Sequence, residues 1–136
     1  MTSFPLKIVT PDGLIYDDNA EMVIVRTITG DMAFLAKHIN CVAPLGMGRA
    51  MFIIDGQKRY AACIGGILSV NNGQVTLVPT TFEWARDIDV QRAESAAQRA
   101  QTVISDKASS DREVAVAEAK LKRALVRKAV ATYKPM

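Results

Sequence analysis

After Trp84 the chain carries no glycine and no proline until Pro135. Before Trp84 both residues punctuate it repeatedly. Proline breaks a helix interior and glycine weakens one, so the two stretches cannot share one kind of backbone. Up to about Thr81 the apolar residues come in short, strand-like runs. Phe4, Leu6 and Ile8 alternate with Pro5 and Lys7, and EMVIVRTI at 21–28 is β-branched between polar residues. RAMFIID, KRYAACI, GILSV and QVTLVPT follow the same habit. PDG at 11–13, TGD at 29–31, DG at 55–56 and NNG at 71–73 are turn signals between them. Short strands with regular turns predict an all-β sandwich or barrel. Gly65-Gly66 inside a strand-like run predicts a bulge or a tight corner.

Beyond Trp84 the period becomes helical. Ala93, Ala96/Ala97, Ala100 and Val103/Ile104 recur at helical spacing, with Asp87 as the expected N-cap. SDKASSD at 105–111 interrupts the pattern. Ser110 with Glu113 three residues on is a capping-box signature for a second helix, whose inner face should be Val114, Ala117, Leu121 and Ala124/Leu125. A short connection makes the pair an antiparallel hairpin. Its seam is largely alanine, which allows close approach but buries little area at about 25 cal/mol/Å². Such a hairpin is expected to be marginal alone and able to open.

The 136 residues suit one domain, or a small domain with an appendage. With 23% charged residues and a formal net charge of +3, the composition is that of a globular chain. No apolar run reaches the roughly 20 residues of a membrane helix, and MTSFPLKIVTPDG lacks the pattern of a secretion signal. Cys41 and Cys63 match no metal or redox spacing and read as small buried apolar residues in a reducing compartment. The charge is uneven: from Asp111 onward seven Lys/Arg face three acids, a net +4, while ten face eleven in residues 1–110, a net −1. A basic terminal segment points to an acidic partner.

Folding the hairpin about Ala108 sets residue 92 opposite 124 and residue 89 opposite 127, so Arg92 should approach Arg123 and Arg127, with Asp89 alongside. Arg99 lies two turns from Arg92, roughly 10 Å along the axis. Converging guanidiniums repel unless an anion offsets them, and phosphate oxygens pair with them bidentately. The plain alternative is a solvated face whose arginines are neutralised by Glu94 and Glu118. Gly46-Met47-Gly48 lacks the rest of a dinucleotide loop, His38 has no evident partner, and no nucleophile or acid–base set stands out. Nucleic-acid binding is a competing class, disfavoured by 6% aromatics and a slightly acidic β half.

These residues together resemble a known family. FPLKIVTPDGLIY at 4–16 resembles the opening of epsilon subunits of bacterial F-type ATP synthases, F-x-L-x-I-V-T-P-x-G-x-I-Y. RTITGDMAFLAKH at 26–38, GGILSV at 65–70 and LKRALVR at 121–127 fall where that family has similar segments. Ile88-Asp89-Val90-Gln91-Arg92-Ala93 matches the I/L-D-x-x-R-A motif of members that bind ATP. The resemblance covers essentially the whole chain.

It implies an α+β architecture: an antiparallel β-sandwich over residues 1–84, seated on the gamma subunit and the c-ring, then a regulatory helical hairpin over 85–136. The chain would be a non-catalytic rotor subunit at the cytoplasmic face of the bacterial membrane, peripheral and without membrane insertion. The host enzyme would move protons or sodium ions. ATP held by the folded hairpin would favour the closed state. Extended, the hairpin would reach the alpha/beta catalytic head and hinder ATP hydrolysis. Ile88, Asp89, Arg92 and Ala93 match the ATP motif directly, and Glu83, Arg99, Arg123 and Arg127 fit further positions around the nucleotide. Glu83 and Asp89 would face the base and the arginines the phosphates, with Mg2+ left open as a companion. No metal site of the chain's own and no nucleic-acid partner are expected. Asp31, Lys37 and His38 would meet the c-ring, but the loop departs from the family's G-x-x-G-I-L-P-G-H: Ala33 replaces a glycine and Ala36-Lys37 replace Pro-Gly.

Overall fold

A computed structural model of the chain describes residues 2–133; Lys134, counted above in the basic tail, and Pro135 lie outside the described residues. The chain divides into two compact units, Met1–Trp84 and Ala85–Met136.

The first unit holds ten strands among the described residues: β1 Phe4–Thr10, β2 Gly13–Ala20, β3 Met22–Thr27, β4 Gly30–Phe34, β5 Cys41–Pro44, β6 Met47–Ile54, β7 Gln57–Ile64, β8 Ile67–Asn71, β9 Gln74–Val78 and β10 Thr81–Trp84. They form two five-stranded sheets, ordered β2-β1-β9-β8-β5 and β10-β7-β6-β3-β4. The expected β-sandwich is present. Its pairing is antiparallel except for β1 with β9, which run parallel. Alternation along β1 buries Phe4, Leu6 and Ile8, which pack with Val23, Val25, Phe34, Phe52, Leu68, Val75 and Leu77 in one core.

Strands β2, β4, β5 and β10 carried no strand signal in the sequence reading, and they are the four sheet edges. An edge strand is short or polar because one side has no neighbour, so its hydrophobic pattern is weak. GLIYDDNA of β2 buries only Ala20. The Gly65-Gly66 corner joins β7 of one sheet to β8 of the other. Gly66 has φ 91°, and a Cβ there would stand 2.0 Å from the Val78 carbonyl oxygen. Only glycine fits this corner.

The second unit is the helical hairpin: a 3-10 turn Ala85–Asp87, then α1 Val90–Ser105 and α2 Asp111–Ala131. The N-cap of α1 is Asp89, not Asp87; its side chain accepts from the Arg92 N–H at 3.1 Å. The 3-10 turn takes up Asp87 and buries the following Ile88, so the helix begins two residues later. Ser110 and Glu113 form the expected capping box. The seam is alanine-rich, with Ala93, Ala97 and Ala100 facing Ala117 and Ala124. Leu125, expected inside, is 47% exposed, while Val130 and Ala131 are buried instead.

The register of the hairpin also differs. A fold about Ala108 sets residue 94 opposite 122, yet the Glu94 carboxylate pairs with Lys128. That is six residues further along α2, about 9 Å at the rise of an α-helix. The first buried residue of α2 is Ala117, so its opening turns run past the end of α1. The connection is folded rather than spanning straight across: the Ser109 hydroxyl donates to the Val103 carbonyl, and the Ser109 N–H donates to the Asp106 carbonyl.

Candidate functional site

This register decides which cations meet. Arg99 of α1 joins Lys120, Arg123 and Arg127 of α2 around one groove of about 410 Å³, floored by Ala96, Ala100 and Val103. The α2 members stand at i, i+3 and i+7, one face of a helix. Alanine in the seam brings the two backbones close enough for both helices to line the groove. Glu94, offered above as a neutralising partner, is engaged by Lys128, which does not line the groove. Glu118 is exposed. Among the described residues no carboxylate pairs with the four groove cations.

Arg127 is half-buried, and its Nε is inaccessible to solvent with no hydrogen-bond partner. A buried polar atom left unpaired costs roughly 1–3 kcal/mol. Four like charges converging beside such an atom form an arrangement that an anion would relieve, and phosphate oxygens match guanidinium geometry. The chemistry available is therefore anion binding.

The other expected site residues are placed differently. Arg92 is exposed in the first turn of α1 and does not line the groove, because the register shift carries it beyond Arg127. Asp89 uses its carboxylate as the α1 cap, Ala93 is buried in the seam, and Ile88 is buried beside the 3-10 turn. Glu83 lies in β10, in the first unit, and is half-buried. Lys120 was missed in the sequence, although its spacing from Arg123 and Arg127 was a signal to be read.

In the sandwich, Asp31 and the pair Lys37 and His38 stand at opposite ends of β4. Asp31 binds the Arg26 Nε at 2.6 Å across the β3–β4 hairpin, and this hydrogen bond holds the guanidinium pKa above its ordinary value. Lys37 has φ 65° in a turn closed by the His38 N–H on the Leu35 carbonyl. The third position of that turn demands φ > 0, which suits Pro-Gly and is here met by Ala36-Lys37. The His38 Nδ1 lies 2.8 Å from the Ile39 carbonyl oxygen and 3.9 Å from the Cys41 Sγ, a partner the sequence reading had not assigned. Its ring leans on the buried Phe34. Cys41 is half-buried rather than buried; Cys63 is buried, and burial pushes its thiol up to about 12.

Exposed apolar side chains form a row on the outer face of the first sheet. Pro44 pairs with Ile67 and Ile67 with Val78, and the Ile28 N–H donates to the Pro44 carbonyl. Ile28 is 69% and Val42 67% exposed. Rows of this kind mark protein–protein contacts.

A β-sandwich followed by a two-helix hairpin with a basic groove defines the class. Comparison with known proteins gives the family. Residues 3–85 match the ATP synthase delta/epsilon chain β-sandwich domain, and residues 86–132 match the delta/epsilon chain long α-helix domain. The chain is 43% identical over 131 residues to the ATP synthase epsilon chain of Bacillus velezensis, covering 96% of this chain and 98% of that one. It is 36% identical over 135 residues to the epsilon chain of Shouchella clausii, covering 98% of each. The chain belongs to the ATP synthase delta/epsilon family, among its bacterial epsilon chains. The same fold occurs in the cryo-EM structure of Euglena gracilis mitochondrial ATP synthase, with a TM-score of 0.82 at 21% identity, covering 95% of this chain and 81% of that one. In the central stalk/c-ring structure of Tetrahymena thermophila mitochondrial ATP synthase the TM-score is 0.60 at 10% identity, covering 93% and 95%. Among the described residues no helix is long and apolar enough to cross a membrane, and no cluster of His, Cys, Asp or Glu could hold a metal ion.

Proposed function

We propose that this chain is a non-catalytic central-stalk subunit whose hairpin senses ATP and regulates ATP hydrolysis by the host synthase. The β-sandwich would bind the gamma subunit through the exposed apolar row of Ile28, Pro44, Ile67 and Val78. The end of the sandwich at Lys37 and His38 would meet the c-ring, with Lys37 adding a charge to that contact. The whole would sit peripherally at the cytoplasmic face of the membrane.

The observation that carries the regulatory reading is the Arg127 Nε, buried and unpaired in a groove shared with Arg99, Lys120 and Arg123. A phosphate chain supplies what that atom lacks and offsets the convergent charge. Because the groove is built from both helices, ATP would bind only the closed hairpin and stabilise it, by about 2.7 kcal/mol at a hundredfold excess over the dissociation constant. Opening would dismantle the groove and free its cations for an acidic surface of the alpha/beta head. In the closed hairpin, Arg92 and Asp89 would complete the site only by moving toward the nucleotide. The test is thermal melting of the purified chain in rising ATP, with and without Mg2+. The unaltered chain should gain stability, and Arg127→Ala and Arg123→Ala should not. Equal gains in all three would refute the assignment.

A further inference from the structure

We propose that Asn72 is a site of spontaneous covalent modification: its side-chain amide cyclises onto the Gly73 backbone nitrogen, and the ring opens to aspartate and isoaspartate. Of the chain's asparagines, Asn19, Asn40, Asn71 and Asn72, only Asn72 precedes a glycine. The attacking atom in such a cyclisation is the backbone nitrogen of the following residue, and glycine puts no side chain beside it. Asn72 and Gly73 form the two-residue turn between β8 and β9, with φ 49° and 82°. Positive φ at both positions is the habit of a tight hairpin tip. Asn72 is exposed, and among the described residues its side chain makes no hydrogen bond. Strand pairing starts outside the turn, at Asn71 and Gln74, and the Gly73 N–H donates to no partner among the described residues. Both reacting groups are therefore free.

The turn between β6 and β7 supplies an internal control. Asp55-Gly56 has the same length and the same left-handed backbone, with φ 52° and 75°. There the Gly56 N–H donates to the Glu21 carboxylate at 3.1 Å. That bond holds the nitrogen toward Glu21 and protects Asp55, whereas nothing holds Gly73. At Asn72 the Gly73 nitrogen bonds to the side-chain carbonyl carbon, and the Cγ–Nδ2 bond breaks. The nitrogen's proton leaves with the amide as ammonia. Water then opens the succinimide at either carbonyl. Opening at the backbone carbonyl gives isoaspartate, which routes the chain through the side-chain carbons and lengthens the turn. The Asn72 N–H donates to the Asn40 Oδ1 at 2.9 Å. A lengthened turn therefore loses its tie to the loop that carries Lys37 and His38.

The test ages the purified full chain at mildly alkaline pH, folded and in guanidinium chloride. Peptide mass spectrometry reads each asparagine, and an isoaspartyl methyltransferase detects the rearranged product. Exposed turn tips open at little cost in free energy, so folded Asn72 should lose its amide within about tenfold of the denatured rate. Asn19, Asn40 and Asn71 should keep theirs. Gly73→Ala, whose added Cβ meets open space, should still fold and should retain the Asn72 amide. Glu21→Ala frees the Gly56 N–H, and isoaspartate should then appear at Asp55 in that variant alone. In the modified chain, hydrogen exchange should speed up over residues 35–40. An Asn72 that stays intact in the folded chain while reacting in denaturant overturns the assignment. Isoaspartate at Asp55 in the unaltered chain overturns the protective role of Glu21, and unchanged exchange over residues 35–40 overturns the structural consequence.

Discussion

Lys37 occupies a left-handed turn position at φ 65° without the glycine that such a position favours. A residue with a Cβ pays about 1–2 kcal/mol there, partly offset by glycine's greater freedom when unfolded. Lys37→Gly should therefore stabilise the chain by up to about 1 kcal/mol in a urea melt. Gly66 is the opposite case. With the Val78 carbonyl 2.0 Å from a hypothetical Cβ, Gly66→Ala should cost about 3 kcal/mol or more, because backbone must move. Gly73→Ala, at φ 82° but facing open space, should cost only about 1 kcal/mol. Similar losses at the two glycines would show that conformation, not crowding, governs the corner. At Arg127, replacement by methionine keeps the apolar stem and removes the unpaired Nε. Arg127→Met should leave the ligand-free melting temperature unchanged or higher while abolishing the ATP-dependent rise. Both glycine positions were legible as turn or corner signals. The strain at Lys37 was not, since φ is a property of the closed turn.

At the scale of elements, local chemistry was legible and pairing was not. The Ser110–Glu113 box is a four-residue motif whose partners lie within one turn, so sequence alone located it. Ser110→Ala should cost about 1 kcal/mol and lower hairpin helicity by circular dichroism. The α1 start was misplaced because the 3-10 turn before it is held by burial of Ile88, which no cap signal announces. The register along α2 depends on a folded connection and an alanine seam that accepts several alignments, and it brings Glu94 to Lys128. That pair is partly exposed, so Glu94→Gln should destabilise the hairpin by under about 1 kcal/mol, an effect that fades in high salt. The edge strands were invisible for a related reason: an edge is defined by the neighbour it lacks.

For the whole molecule, the buried Cys63 thiol offers a probe of the core. Its folded pKa is about 12 against an ordinary 9.0. The folded state thus holds the proton more tightly, so this contribution to stability is complete below pH 9 and is lost as the pH rises toward 12. Cys63→Ala should flatten the stability profile over that window, and an unchanged slope would mean that other groups control it. The sequence alone determined the two-part architecture, the sandwich class, the capping box and a family resemblance, because turns, alternation and caps act between residues near in the chain. Tertiary structure alone decided the parallel β1–β9 pairing, the identity of the edges, and which cations share the groove. Those outcomes rest on contacts between distant segments, where a shift of six residues exchanges Arg92 for Lys120 while leaving every local preference satisfied.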